Sequence, residues 1–597
     1  MNKKKDFHIN QIAKFEAQIA SSKKQLKKIF IIRSLTSIFT VLLLIYVGVD
    51  DSKIIFFIIS IAILTFLILM RKESKLNNKI IFNENHKEIN AHEIKLLNYD
   101  FENIKDGVHF HQDYHEYSRD LDIFGYKSIY QLLNRTCTYS GSQILGNTLN
   151  YPSLDIDDIY SRQDAIKELS SKEEWCHDFL AYGKGTSEKD TIETIVNWLN
   201  GNNIFNLQLI NIIIFGFPFI CLIFGFLGIL GVLNFGFFWI VFILQLLLTL
   251  VFNAKINDIH NKLSKKYSLI DKYLNLIKLI EQQSFKTTLL QKLHNDFIIN
   301  TEKNKATQVL GKLKKYLDLL DGRLNVIMAI VLNGIFLWDL NTVVKIEKWK
   351  INNKEKFTQW MDAISELDAL ISIALFAKSN SEYVYPEILE GNFKLSGKDM
   401  GHPLVNKLKL VKNDYQFEEN SKVDLLTGAN MAGKSTFLRT IGVNIVLARI
   451  GAPVCAKKFS LTPINLFTSL RTIDSLQENE SFFYAELKRL ETLIKLYKSN
   501  NKIFFLLDEI LKGTNSKDQH YGSVGLIKKI LALDGSGIIA THDLALSSLQ
   551  DEYPKNIRNI CFEIEIENNE LKFDYKLKLG FCKTMNASFL MKNMDII

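Results

Sequence analysis

Cysteine is scarce in this chain of 597 residues, and over long stretches so is charge. The six cysteines, Cys137, Cys176, Cys221, Cys455, Cys561 and Cys582, form no C-x-x-C pair and show no metal-ligand spacing. That excludes a disulfide framework and suits a reducing cytosol. Acids are few at the start, where residues 1–28 hold eight lysines but only Asp6 and Glu16. A cleavable leader is not expected, because this charged segment precedes the first apolar run and no small-residue cleavage site follows it. Between residues 203 and 254 there is no charged side chain at all.

Those charge-free runs have the lengths of membrane helices. Residues 34–49 and 54–70 are apolar, parted only by Asp50, Asp51, Ser52 and Lys53. Each is slightly short of the ~20 residues that cross the hydrocarbon of a bilayer. Extending the first back to Ile29 takes in Arg33, whose long stem lets its charge reach the interface. The run after 203 is too long for one span and divides into 209–230 and 235–252, folded at residues 231–234. Basic residues flank both pairs on one side: Lys23, Lys24, Lys27, Lys28, Arg71, Lys72 and Lys75 about the first, and Lys255, Lys262, Lys265 and Lys266 after the second. The positive-inside bias then gives two hairpins and four membrane helices, with both termini cytoplasmic and almost nothing outside. The matching location is the inner (cytoplasmic) membrane of a bacterial-type cell, entered as a multi-pass protein. A third apolar run, 324–337, is only about 14 residues long, carries Asn325 and Asn333, and is expected to be a core helix.

The stretch TGANMAGKSTFLRT, residues 427–440, satisfies G-x-x-x-x-G-K-[ST] from Gly428 to Ser435. It follows a strand-like VDLLT and opens a helical run that reaches Ile450. In that context Gly428 and Gly433 let backbone N–H groups close on phosphate oxygens. Lys434 reaches the β and γ phosphates, and Ser435 offers its hydroxyl to Mg2+. Asn430, Met431 and Thr436 complete the cradle. Downstream, KIFFLLDE reads as a buried parallel strand ending in Asp508, for the metal shell, and Glu509, to polarise the attacking water. A further apolar strand, GIIATHD, delivers His542 to the sheet edge where ligands sit, as a γ-phosphate sensor. The expected ligands are ATP and Mg2+. The group His109, His111, Asp113, His115 and Glu116 reads as solvated surface rather than a metal site. The charge-laced pattern over 261–320 reads as long lever helices.

These segments resemble one family. TGANMAGKSTFLRT is similar to the Walker A segment of MutS-type DNA mismatch repair ATPases, in which N-M-x-G-K-S-T is distinctive. LLDEILKGTNSKDQ resembles that family's Walker B and the loop after it, ATHDLAL its switch histidine motif, and GHPLV the entry to its ATPase domain. SFFYAE, 481–486, stands where the family carries a signature that reaches across a dimer. The resemblance therefore implies a homodimer in which Ser481 acts in trans. SIYQLLNRT and DIDDIYSRQDA, at 128–136 and 155–165, resemble the start of the family's helical core.

The chain is accordingly expected to be multidomain, α and α/β. A basic segment 1–28 precedes membrane hairpin 29–72, a polar connector 73–119 and a helical core 120–203. A second hairpin, 204–254, is followed by lever and core helices 255–378. An ABC-type P-loop ATPase domain, 379–597, closes the order with a mostly parallel sheet flanked by helices.

Departures from the family bear on function. The N-terminal hairpin leaves no room for the family's mismatch-reading domain, and Phe15-Glu16-Ala17 is not its Phe-x-Glu wedge. The second hairpin stands where relatives insert a DNA clamp. Leu410 is aliphatic where relatives often place an aromatic ring on adenine, which leaves Tyr575 to stack there. No helix-turn-helix of the family's C-terminal kind precedes Ile597. The expected function is a membrane-anchored ATPase that works as a dimer and couples hydrolysis to DNA binding, without the domain that recognises mismatches. Two alternatives stand beside it. An ABC-type transporter is disfavoured by spans nearly free of ionisable residues. A membrane nucleotide switch would act independently of DNA.

Overall fold

No proline or glycine falls within residues 2–47 or 52–97, so nothing in either stretch stops a helix. The computed structural model describes residues 2–47, 52–185, 189–202, 207–263, 267–298, 305–417, 422–429, 431–471, 482–499, 502–567 and 570–582. Helices α1 (Asn2–Val47) and α2 (Ser52–Leu97) are continuous and pack side by side. Each has 46 residues, or about 69 Å of helix. Polar pairs set their register. His8 Nδ1 meets Asn90 Oδ1 at 2.8 Å, Lys87 meets Glu16 at 2.6 Å, and Arg33 meets Glu73 at 2.5 Å. Beyond Arg33 the outward side chains are apolar and exposed, Phe39, Phe56 and Leu64 among them. No break separates the basic segment or the first part of the connector from this hairpin.

Short capped helices follow. They are α3 (Ile129–Leu133), α4 (Tyr139–Asn150), α5 (Ile156–Ser170), α6 (Glu173–Gly183) and α7 (Lys189–Asn200). Ser128, Thr138 and Asp155 start three of them by accepting N–H groups of the first turn. The charge-free zone forms α8 (Leu207–Ile229) and α9 (Gly236–Leu263), with Gly231 left-handed at φ 71° in the turn between them. Together α1, α2, α8 and α9 are four helices long and apolar enough to cross a membrane.

Residues 261–320 do not form long levers. They divide into the end of α9, α10 (Tyr267–Glu281), α11 (Thr288–Asn295) and α12 (Ala306–Asp321). The break before α11 is held by Glu168, which accepts the N–H groups of Lys286 at 3.0 Å and Thr287 at 2.9 Å. The long element lies later: α14 (Trp338–Ser379) has 42 residues and is buried on the core from Asp339 to Ala377. Between α12 and α14 lies α13 (Val326–Phe336), bent by 115° from α12. Here the expectation of a core helix fails, because only Asn333 and Gly334 of α13 are buried and its apolar side chains face outward.

The last part is α/β. Strands β4 (Val423–Gly428), β6 (Asn465–Ser469), β7 (Ile503–Asp508), β8 (Ser536–Thr541), β9 (Ile557–Glu567) and β10 (Glu570–Leu579) form a six-stranded sheet. Its order is β10-β9-β4-β8-β7-β6, parallel except for the β9–β10 pair. Strands β4, β7 and β8 are buried almost throughout, as strands covered on both faces must be, and the buried Asp424 of β4 pairs with Arg558 at 2.5 Å. Helices α15 (Lys434–Arg449), α16 (Phe482–Lys498) and α17 (Ser516–Ala532) accompany them. A second sheet contains β1 (Glu387–Ile388), β2 (Leu395–Met400), β3 (Asn413–Phe417) and β5 (Lys458–Leu461), in the order β1-β5-β2-β3. The Phe417 ring packs 5.2 Å from that of Phe504 in β7.

The segment before α3 joins this domain to the helical part. Asp120 accepts the Thr468 hydroxyl at 2.7 Å and the Leu470 N–H at 3.0 Å. Buried Leu121 lies where a Cβ on Gly442 of α15 would meet it at 2.8 Å.

Candidate nucleotide-binding site

Three neighbouring parallel strands end together. The loop after β4 leads to Lys434, β7 ends on Asp508, and β8 delivers His542. Carboxyl edges of such sheets are where open α/β folds bind ligands. Two positions in the loop admit only glycine. Gly433 is left-handed at φ 103°, and a Cβ there would lie 3.2 Å from the Tyr575 ring. At Gly428 a Cβ would lie 2.9 Å from the Phe562 carbonyl oxygen.

Lys434 is buried at the start of α15, and its Nζ donates to Gly428 O at 2.7 Å and Ala429 O at 3.1 Å. Burial lowers its pKa, against the opposing pull of Glu509 and Asp508. The Ser435 hydroxyl donates to Asp508 Oδ2 at 2.5 Å. Burial raises the Asp508 carboxyl, and its Oδ1 is buried without a hydrogen-bond partner. An orphaned carboxylate oxygen beside a serine hydroxyl suits a hard cation such as Mg2+. No group of three or more His, Cys, Asp or Glu among the described residues could hold a metal alone. Phosphate oxygens would therefore have to complete the shell, as is usual for Mg2+.

Glu509 is left-handed, at φ 51°, and its N–H donates to Ala540 O at 2.8 Å. Its carboxylate meets His542 Nε2 at 2.5 Å and also pairs with Lys512. Burial alone would raise its pKa, but the hydrogen bonds from His542 and Lys512 outweigh that and hold it at about 2. The next turn is fixed from another element: the Leu511 N–H donates to the buried Glu486 carboxylate of α16.

A cavity of about 590 Å³ opens beside this cluster, within the range of small-molecule sites. Met431, Gly433, Lys434, Ser435, Thr436 and Glu509 line one side, and Met400, His402, Lys409, Leu410, Asn413 and Tyr575 line the rest. Leu410 and Tyr575 thus both face the space. Burial holds His402 at about 4, so it is neutral and its Nδ1 accepts the Leu404 N–H at 3.3 Å.

The structure brings together the loop residues, Asp508, Glu509, His542 and Tyr575. Asn430 and Ser481 lie outside the described residues. Sequence reasoning missed His402, Lys512 and the role of Glu486. His402 lies in the GHPLV segment and Lys512 three residues after Glu509, so proximity to a motif was the available signal. Of the histidines at 109–115, His115 is buried and structural, its Nδ1 accepting the N–H groups of Tyr117 and Ser118 at 3.2 Å each.

Known proteins resemble this chain in two blocks. Residues 117–374 match the family model described as MutS domain III, and 424–592 that of MutS domain V. Mouse "MutS protein homolog 4" is 32% identical over 235 residues, which is 38% of this chain and 24% of that protein. "DNA mismatch repair protein MutS" of Ehrlichia chaffeensis is 34% identical over 230 residues, 38% of this chain and 28% of its own. The same-named protein of Thermotoga maritima is 28% identical over 232 residues, again 38% of the chain and 28% of the relative. The chain therefore covers about a quarter of the length of these relatives.

Proposed function

This chain belongs to the MutS family, and from that premise we propose that it is a membrane-anchored ATPase that hydrolyses ATP to ADP and phosphate as a homodimer. The observation that carries this reading is the convergence of Lys434, the Ser435–Asp508 pair and Glu509 on one cavity. Loop N–H groups and Lys434 bind the phosphates; Lys434 exchanges its carbonyl partners for phosphate oxygens. Ser435 and Asp508 would hold Mg2+, which would neutralise charge on the phosphates. Glu509 stays ionised at neutral pH. A carboxylate held near 2 is a poor proton acceptor, so it orients the attacking water by accepting its hydrogen bond. His542 fixes that carboxylate and faces the γ-phosphate position. Tyr575 and Leu410 take the base. Ser481 of the second copy completes the site, and closure is coupled to DNA. Helices α1, α2, α8 and α9 anchor the protein in the inner membrane, with the nucleotide site cytoplasmic. Their outward apolar side chains support this.

The test is Mg2+-dependent ATP turnover by the detergent-solubilised full chain, alone and with duplex, mismatched, branched and single-stranded DNA. Turnover is expected in the wild type, and no nucleotide binding in Lys434→Ala. DNA affinity is expected to fall steeply with salt, because phosphate contacts dominate it. Undiminished turnover in Glu509→Gln removes Glu509 from its role. No affinity for any of the DNAs at low salt overturns the coupling to DNA. Release of the protein from membranes by alkaline carbonate overturns the anchor.

A further inference from the structure

We infer that α13 is a re-entrant helix that dips into the cytoplasmic leaflet and presents its outer face to lipid acyl chains. The inference rests on the membrane reading of α8 and α9 given above. It concerns an element that composition alone assigned to the protein core.

Its side chains are arranged inside out for a helix in water. Val326 is 70% exposed and Ile327 77%, whereas the buried members of α13 are Asn333 and Gly334. An amphipathic helix on a soluble core does the reverse. No charged residue occurs from Leu324 to Leu337, and the run is bracketed by Arg323 and Asp339. Exposed apolar area is unfavourable in water and not in hydrocarbon.

Contacts with α9 give the depth. At the entry, Arg323 Nη2 donates to Asn253 Oδ1 at 2.8 Å, where the apolar stretch of α9 ends. Farther along, Gly334 packs so closely on Phe242 that a Cβ would meet the ring at 2.2 Å. Cys221 Sγ of α8 lies 3.8 Å from the Gly334 carbonyl oxygen. Asn253 and Phe242 are about 16 Å apart along α9, roughly half of the ~30 Å hydrocarbon thickness. The helix reaches that far and turns back.

Polar side chains at both ends of α13 have backbone partners. The Asn325 side chain accepts the Met328 N–H at 3.2 Å, and Asn333 Oδ1 accepts the Asp339 N–H at 2.9 Å. Left-handed Leu337 is fully buried. Non-helical backbone at membrane depth is tolerated only under such cover. Arg323 and Asp339, one on each limb, pair at 3.4 Å. Because α13 packs on α9, whose Ile243, Leu247 and Leu250 point outward, its occupant is the same acyl-chain layer.

The experiment places a nitroxide label at Ile327→Cys, Met328→Cys or Val331→Cys in the full chain reconstituted in lipid nanodiscs. The parent protein, whose cysteines are all buried, gives the background. Collision with oxygen, which partitions into lipid, is compared with collision with a water-soluble nickel chelate. Ile243→Cys on α9 and Tyr126→Cys, an exposed residue of the soluble part, are the references. The three α13 positions are expected to match Ile243, with an oxygen-to-nickel ratio several-fold above that at Tyr126. Three positions keep the test standing if one variant does not fold. An Ile243 label that favours oxygen while the α13 labels favour nickel overturns the inference and leaves the membrane reading intact. Low collision with both reagents means that protein covers the face, by a second copy or another partner, and also overturns it. An Ile243 label that favours nickel overturns the membrane reading itself, and the inference with it.

Discussion

Glu509 and Leu511 both have positive φ, 51° and 60°, in the turn that leaves β7. Left-handed backbone costs a non-glycine residue about 1–2 kcal/mol, so neighbours must hold the turn. Glu486 does so through the Leu511 N–H, from α16. Glu486→Ala leaves that N–H unpaired and is expected to cost about 1–3 kcal/mol, with turnover falling as Glu509 loses its aim. Glu486→Gln keeps an acceptor and is expected to restore most of both, as thermal melting and ATP turnover would record. A second expectation concerns pH. Burial holds His402 and His177 at about 4, below the usual 6.5. The unfolded chain therefore takes up protons below pH 6.5 that the fold refuses until about pH 4. Stability is expected to be level above about pH 7 and to fall between 6.5 and 4. Melting curves across that window check it, and His402→Gln is expected to flatten the slope. Motif spacing identified Glu509 but not Lys512 or the use of Glu486. Whether a residue three places on turns back depends on a left-handed turn, which no motif or hydrophobic period encodes.

Among the elements, α14 is the spine, and Asp368 fixes it to the start of the helical body. Its carboxylate accepts the Thr138 hydroxyl at 2.6 Å and the Thr138 and Cys137 N–H groups at 2.8 Å and 3.1 Å. Asp368→Ala strands these donors in a buried place. Each buried donor left unpaired is expected to cost about 1–3 kcal/mol, read as a large drop in melting temperature. Asp368→Asn, which exchanges one acceptor for a donor, is expected to lie between. Hydropathy located α8 and α9 within a few residues of their observed apolar ends, because a long charge-free run leaves little choice of where its helices begin and end. The same signal failed at 324–337, where a short apolar run looks alike whether its helix is buried or exposed. It also gave no sign that α1 and α2 run on through charged sequence. Their continuity comes from the absence of any breaker and from cross-pairs such as Lys87–Glu16.

For the whole molecule, the contacts that matter link distant stretches. Glu366 of α14 pairs with Arg162 of α5 at 2.7 Å, and Arg162 Nε donates to Ile450 O at 3.4 Å. Ile450 ends the helix whose first residue is Lys434, so α14 grips the far end of the phosphate-binding helix. The motifs made the α/β domain legible, but this grip and the docking of Asp120 on Thr468 join residues hundreds of positions apart. Only the folded chain reveals them. If two copies close on nucleotide, Glu509→Gln with ATP is expected to double its particle mass in light scattering, and Lys434→Ala to remain unchanged. An identical mass with and without ATP would remove the dimer cycle. The length of α14 also has a geometric result. Forty-two residues make a rod of about 63 Å, so a tilt of about one degree at Trp338 displaces the far tip by about 1 Å. Misplacing reacting groups by about 1 Å can cost about a hundredfold in rate. A rotation about the Trp338 end would therefore reach, by arm length alone, a displacement of that size at the far end of α14.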